Sequence, residues 1–438
     1  MERKKGRNSI DRTVSIFIYQ RTEEHVRSSR RLKYLLAMII SGFLVRAGSD
    51  LPALDKAFGP QTGQVPIISS GKIPQPPDKK VRTFIFKEDL TIGVREGDED
   101  YMFGEGVYFN VDVDGNIYVT DWDRKRIQKY GRDGRYLLTI GREGQGPGEF
   151  QNVWEPEFDK DGNLYAVDIA QKRVSFFSRD GRYLRQAGFP AFQVSGPPLY
   201  VTSQGRYLIA VDEVKREDEA GSQWEMTVGL YDEKFAPLTV FHRDLHESKS
   251  PKGRTEDDTA QFWAALISDM AFKPAHHYLL APNDEIFFGF SNAYEIKVHS
   301  PEGKVTRIIK KNYDPAPVAE KDKEQFEKVQ GAEFLRFIPA QLDNVKKKAL
   351  KLIRYPKYKP AFQDFTCGDN GWLFVIVDSR ENKATILDVF DAQGHYIART
   401  EAAIPSEMLR FKKGKAYAIA TEDSYKFVKR FSYTVREN

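Results

Sequence analysis

Glu155, His277, Asp364 and Glu407 occupy one equivalent position in four copies of a repeated unit, seven residues before the turn that follows the first strand of each copy. Tyr108 and Pro198 fill the same position in the other two copies. Oxygen donors converging from several copies suit Ca²⁺, and an added imidazole admits Zn²⁺ or Mn²⁺. Without a metal, carboxylates held close together would drive one pKa upward, which acid–base catalysis exploits. The same residue types are also what a water-lined channel needs with no chemistry attached. A slip of one residue in the alignment would turn them toward a neighbouring sheet. A second pair, His242 and His246, is spaced for metal only if it lies on a helix. Pro237 stands just upstream where a strand unit ends, so the pair reads as surface.

The repeat that positions these residues is visible in the chain itself. Asp114-Gly115-Asn116-Ile117-Tyr118-Val119-Thr120-Asp121 returns 47 residues later as Asp161-Gly162-Asn163-Leu164-Tyr165-Ala166-Val167-Asp168. Arg132-Asp133-Gly134-Arg135-Tyr136-Leu137 returns as Arg179-Asp180-Gly181-Arg182-Tyr183-Leu184. Each copy carries two Asp-Gly turns between short apolar and aromatic runs, the pattern of strands joined by hairpins. A four-stranded unit of about 40–50 residues is a propeller blade, and a blade buries its faces only against neighbours around an axis.

Further first turns fall at Gly205, Asn283-Asp284, Asp369-Asn370-Gly371 and Lys412-Lys413-Gly414, giving six units in all. The last unit has apolar runs for three strands, around Leu409, Tyr417–Ala420 and Phe427–Val435. Arg82-Thr83-Phe84-Ile85-Phe86 alternates as a strand and belongs to no other unit, so it supplies the fourth and closes the ring. The expected fold is an all-β, six-bladed β-propeller with its N-terminal strand closing the last blade. Two segments, 244–275 and 313–359, interrupt the repeat between one blade's last strand and the next blade's first. A third, 213–224, separates the second and third strands of the third blade. Both connection types emerge on one face, so helical insertions and hairpin should crowd a single mouth, which in a repeat fold marks the binding face. Periodicity places helices over Asp257 to Met270 (stripe Phe262, Trp263, Leu266, Ile267, Met270) and Ala340 to Ile353 (stripe Leu342, Val345, Ala349, Leu352, Ile353). Lys346, Lys347, Lys348 and Lys351 read as the second helix's solvated side.

The net charge of +4 is unevenly spread, since residues 1–47 carry +7 and leave −3 for the remainder, which argues against a nucleic-acid partner. The excess precedes an apolar run, Leu35 to Val45, that is shorter than the roughly 20 residues of a membrane span. With Arg30, Arg31 and Lys33 ahead and Val45-Arg46-Ala47 behind, 1–47 reads as a signal peptide; its alternative is an uncleaved apolar segment, the one expected contact with a membrane. Residues 48–80 are rich in Pro, Gly and Gln and read as a linker, leaving 81–438 for the propeller. Cys367 is the only cysteine, so no intrachain disulfide forms, and the expected location is periplasmic or secreted.

There is no Gly-x-Ser-x-Gly elbow, phosphate loop, Cys-x-x-Cys pair or His-Glu-x-x-His. Asp112-Val113-Asp114-Gly115-Asn116 lacks the twelve-residue calcium pattern and recurs as Asp159-Lys160-Asp161-Gly162-Asn163, so it is a hairpin turn. Asp121 and Asp168 end the second strand of two blades and read as turn caps or blade-to-blade hydrogen-bond partners rather than as chemistry. Trp122, Arg124 and Lys172 project from the loops that follow and are the expected ligand contacts.

Those turns, with Arg126-Ile127-Gln128-Lys129-Tyr130 between them and Ile140-Gly141-Arg142-Glu143-Gly144-Gln145-Gly146-Pro147-Gly148-Glu149-Phe150 after them, resemble the NHL repeat of six-bladed β-propellers, most closely over 106–187. The chain looks like exported bacterial members of that family. The resemblance implies six blades and a binding role, since such propellers serve as protein- or RNA-binding platforms. Related rings include calcium-dependent lactonases and zinc-dependent amidating lyases with a metal at one mouth. The histidine set of the lyases is missing here, and Glu155, Asp364 and Glu407 echo only part of the lactonase pattern, which also uses asparagines. The leading expectation is an exported, non-catalytic scaffold for a protein, peptide or glycan. The alternative is a metal-dependent hydrolase, lactonase or lyase using Glu155, His277, Asp364 and Glu407 with Ca or Zn.

Overall fold

Six sheets, each built on four antiparallel strands, follow one another along the chain. The computed structural model describes residues 65–189, 193–194, 198–218, 221–249, 255–335, 338, 342–380 and 384–437. The expected signal segment 1–47 lies outside the described residues. Blade 1 spans Val107–Val111, Ile117–Asp121, Arg126–Tyr130 and Tyr136–Ile140, and blade 2 repeats it from Val153–Phe158 to Tyr183–Gly188. Blade 3 has a two-residue inner strand, Tyr200–Val201, and three long ones, Tyr207–Asp218, Gly221–Tyr231 and Pro237–Lys249. Blades 4 and 5 run from His276–Leu280 to Val305–Lys311 and from Asp364–Cys367 to Tyr396–Ala402.

Blade 6 takes three strands from the C-terminus and its outer strand from Arg82–Ile92, which pairs antiparallel with Tyr425–Glu437, Phe84 opposite Val435. The chain therefore closes its ring with its N-terminal strand. Phe84 is 3% exposed and packs edge-on against Trp372 and Phe374 of blade 5. Within the Pro-rich stretch 48–80, Ile67–Ser70 is a strand, lying parallel to Val305–Lys311 as a fifth strand of blade 4. Two β-branched isoleucines suit that edge, a signal that the surrounding prolines and glycines hid.

The core is divided among the clefts between blades, as units that cannot stand alone require. Blades 6 and 1 meet over Val107, Phe109, Tyr417 and Val428, and blades 1 and 2 over Tyr118, Ile140, Phe150 and Phe177. Equivalent clusters fill the remaining four clefts. Cys367 is buried in the cleft of blades 4 and 5, where burial pushes its thiol up to about 12, so it behaves as a small hydrophobe. In the first turns, Asp112 accepts the backbone N–H of Asp114 and Asn116, and Asp159 does the same for Asp161 and Asn163. Those carboxylates organise hairpins, with Gly115 and Gly162 at φ +86° and +77°.

Helices α1 (Glu256–Met270), α2 (Glu320–Phe326) and α3 (Asp343–Leu352) come from the two connections flanking blade 4 and share a separate apolar cluster. Thr255 caps α1, its side chain accepting from the N–H of Asp258. The buried stripe of α1 is Ala260, Ala264 and Ile267, while Phe262, Trp263 and Leu266 are half-buried and Met270 is exposed. The aromatic stripe read from periodicity is thus rotated off the contact, because α1 meets Val345 and Ala349 of α3 through alanines that permit close approach. Leu352 is likewise exposed rather than buried. Since strands alternate in direction within each blade, these connections and the Tyr207–Tyr231 hairpin leave on the same face.

Candidate functional site

Pairing at the inner strands tests the expected equivalence directly. The last pairs are Val111 with Ile117, Phe158 with Leu164, Val201 with Tyr207, Leu280 with Ile286 and Cys367 with Leu373. Three residues back from each lie Tyr108, Glu155, Pro198, His277 and Asp364. In blade 6 the last pair is Lys412 with Lys415, so only Lys413 and Gly414 form the turn, against the five residues Asp112–Asn116 of blade 1. The equivalent residue is Leu409, and Glu407 lies ahead of the Arg410–Lys412 strand. Counting from the glycine overshot because the turn is shorter.

Of the four expected residues, Glu155 is held by Arg410, while His277 and Asp364 pair with each other and Asp364 feels the Arg410 charge. Arg410 Nη2 donates to both oxygens of Glu155, at 2.9 and 3.2 Å, with the two side chains 19% and 3% exposed. Burial drives the Glu155 carboxyl above its ordinary range against the pull of Arg410. Glu157, two residues along the strand, is pushed up to about 8, first by burial and then by Glu155. Burial would also raise Asp364, but His277, whose Nδ1 stands 3.2 Å away, and Arg410 outweigh it and hold the carboxyl below its usual range. Tyr108 is pushed up to about 12 by burial, Glu155 and Glu407, and Tyr200 is raised further by burial.

Glu407 is occupied elsewhere, 2.7 Å from Lys426 Nζ. No three of Glu155, His277, Asp364 and Glu407 bring donor atoms within 4.8 Å of one another. The expected four-residue metal set is therefore not assembled. The guanidinium of Arg410 neutralises the group that a divalent ion would have needed.

Asp121 and Asp168, both fully buried, do cap their turns. Asp121 accepts from Arg124 N and Arg124 Nη1, and Asp168 from the N–H groups of Gln151, Asn152 and Gln171. Trp122, Arg124 and Lys172 lie on the loops between second and third strands, at the same mouth as the insertions. Trp122 Nε1 donates to Asn152 Oδ1, Arg124 also reaches Met102 O at 2.9 Å, and Lys172 is exposed with φ +49°.

Sequence reasoning passed over Arg410 and Glu157, because neither occupies the counted position. It also passed over Lys311 and Asp388, 2% and 0% exposed and 3.4 Å apart, with Tyr294 and Tyr396 hydroxyls donating to the carboxylate at 2.8 and 2.7 Å. Burial lowers the Lys311 pKa despite that partner. Nor is His242 a simple surface residue. It is half-buried, and its ring lies 4.0 Å from that of His276. Among the described residues, His242, Asp244 and His276 are the only set of three or more His, Cys, Asp or Glu whose donor atoms all lie within 4.8 Å of one another. A His-x-Asp pair on a strand, ahead of an insertion returning at a histidine, was the available signal.

The chain resembles several solved structures at low identity. A putative exported protein from Bacteroides fragilis NCTC 9343 is 12% identical with a TM-score of 0.45, covering 85% of this chain and 99% of its own. A member of the duf4221 family from Bacteroides vulgatus is 9% identical with a TM-score of 0.44, over 81% and 99%. Virginiamycin B lyase from Staphylococcus aureus is 12% identical with a TM-score of 0.40, over 80% and 99%. No curated protein matches the chain. No helix among the described residues is long and apolar enough to cross a membrane. Residues 107–255, which span blades 1 to 3, match the DUF5128 family, described as a 6-bladed beta-propeller, and a six-bladed β-propeller is what the described residues form.

Proposed function

We propose that the protein is an exported, non-catalytic scaffold that binds a protein or peptide at the mouth bearing its insertions. One observation carries this reading: the candidate catalytic groups near the inner strands are engaged by other side chains, Glu155 by Arg410, Asp364 by His277 and Glu407 by Lys426. They are spent on holding the ring's centre. Meanwhile the three helices, the long blade 3 ribbon and the loops with Trp122, Arg124 and Lys172 all project at one end. Leu245 on the ribbon and Met270 at the end of α1, 38% and 43% exposed, offer apolar contacts there. Export rests on the basic, then apolar, segment within residues 1–47.

Site-specific photo-crosslinking in the native cell tests the face. A crosslinker at Leu245 or Met270 should capture a discrete partner. One at Val113, 54% exposed in a first turn at the opposite mouth, should not. Equal capture from both mouths, or none from Leu245 and Met270, overturns the reading.

A further inference from the structure

His242 and Asp244 stand two apart in the outer strand of blade 3, paired with Val228 and Met226, and so project to one side of it. His276 opens the inner strand of blade 4, paired with Phe290. Helix α1 lies between them in sequence, yet the three side chains meet at the base of that excursion. The two imidazoles are held by aromatic walls: His276 stacks on Phe290 at 4.3 Å and 22°, and His242 on Phe288 at 5.3 Å and 28°. Their own centroids are 4.0 Å apart at 36°.

His276 Nε2 lies 3.6 Å from Asp244 Oδ2, too long for a hydrogen bond. It is close to the separation of about 3.3 Å between two donors on a tetrahedral zinc with bonds of about 2.0–2.2 Å. No hydrogen bond reaches the buried His276 Nδ1, so stacking and the nearby carboxylate alone place this ring. The His276 side chain is 11% exposed and that of Asp244 29%, so the ring is largely enclosed and the carboxylate partly reaches solvent.

We propose that His242, Asp244 and His276 form a binding site for a first-row divalent metal ion, with zinc as the best fit, at the mouth between blades 3 and 4. Two imidazoles and one carboxylate are the donor set of three-ligand zinc sites that keep a fourth position for water. The nitrogen-rich set disfavours Ca²⁺ and Mg²⁺, which take oxygen ligands. An ion here would tie residue 244 to residue 276 and fasten the base of the α1 excursion, fixing the blade 3 ribbon against blade 4. The site is separate from the inner-strand charges and does not depend on the scaffold reading.

Protein stripped with a chelator and titrated with zinc chloride in a calorimeter tests it. The expected result is one ion per chain and a thermal midpoint that rises with zinc. H242Q, D244N and H276Q should each weaken binding by at least roughly tenfold, the lower bound for losing even an outer partner of a metal ligand. H395Q, altering a histidine that pairs with Asp391 in a blade 5 turn, should bind as the unaltered chain does. Cobalt(II) should give the intense visible absorption of a four-coordinate site in the unaltered chain and lose it in H276Q. Absence of stoichiometric zinc, or full affinity in H276Q, overturns the proposal. Should the histidine variants fail to fold, D244N decides, and full zinc affinity in it is equally fatal.

Discussion

Replacing Glu157 by Gln should make the protein more stable at neutral and mildly basic pH and flatten its pH profile. The Glu157 carboxyl is pushed from the ordinary 4.5 to about 8 by burial and by Glu155. Between those values the folded chain holds a proton that the unfolded chain has released. Stability from this group is therefore complete below about pH 4.5 and declines as pH rises toward 8. The slope is about 1.4 kcal/mol per pH unit, so the full window spans roughly 5 kcal/mol. Glu157 is only half-buried by solvent contact. Screening should reduce the realised loss to about 2 kcal/mol. Denaturant unfolding at half-unit steps from pH 4 to 8.5 measures it. The two proteins should agree near pH 4 and diverge as pH rises above about 4.5, with E157Q ahead by about 2 kcal/mol at pH 8. Parallel curves, or a variant destabilised equally at every pH, would refute the placement of a proton-holding carboxyl there.

Arg410→Met leaves Glu155 buried without its partner and should destabilise by about 3–5 kcal/mol in urea unfolding, with part of the loss restored by adding Glu155→Gln. Asp388→Ala strands Lys311 and two tyrosine hydroxyls in the cleft of blades 4 and 5, and should lower stability by a similar roughly 3–5 kcal/mol in the same assay. Phe84→Ala removes the ring that seats the closing strand on blade 5. It should cost about 3–4 kcal/mol and increase hydrogen exchange first in residues 82–92.

Blades 1 and 2 were legible because their turns need Asp and Gly at fixed places, and the closing strand because a six-unit ring lacked one edge. Register was legible only where turns had equal length. The two-residue turn at Lys413-Gly414 moved Glu407 out of the equivalent position, and no local signal in the sequence marks that shortening. The salt link of Glu155 with Arg410 joins residues 255 positions apart, a contact set by the circular arrangement and invisible to spacing. The alanine face of α1 misled periodicity for a related reason. Hydrophobic size predicts burial in general, whereas a close helix contact selects small side chains. His242 and His276 belong to strands of adjacent blades separated by the α1 excursion, so it is blade packing rather than local spacing that makes them neighbours.

The pairing of Arg82 with Glu437 has a kinetic consequence. About 350 residues must be synthesised between the first and last members of that ladder, which at roughly 5–20 residues per second takes on the order of 20–70 s. Throughout that interval blade 1 has no blade 6 to cover its Val107 and Phe109 side. The nascent chain thus carries one unfinished seam until its final strand arrives, and any truncation near the C-terminus leaves that seam permanently open to other chains.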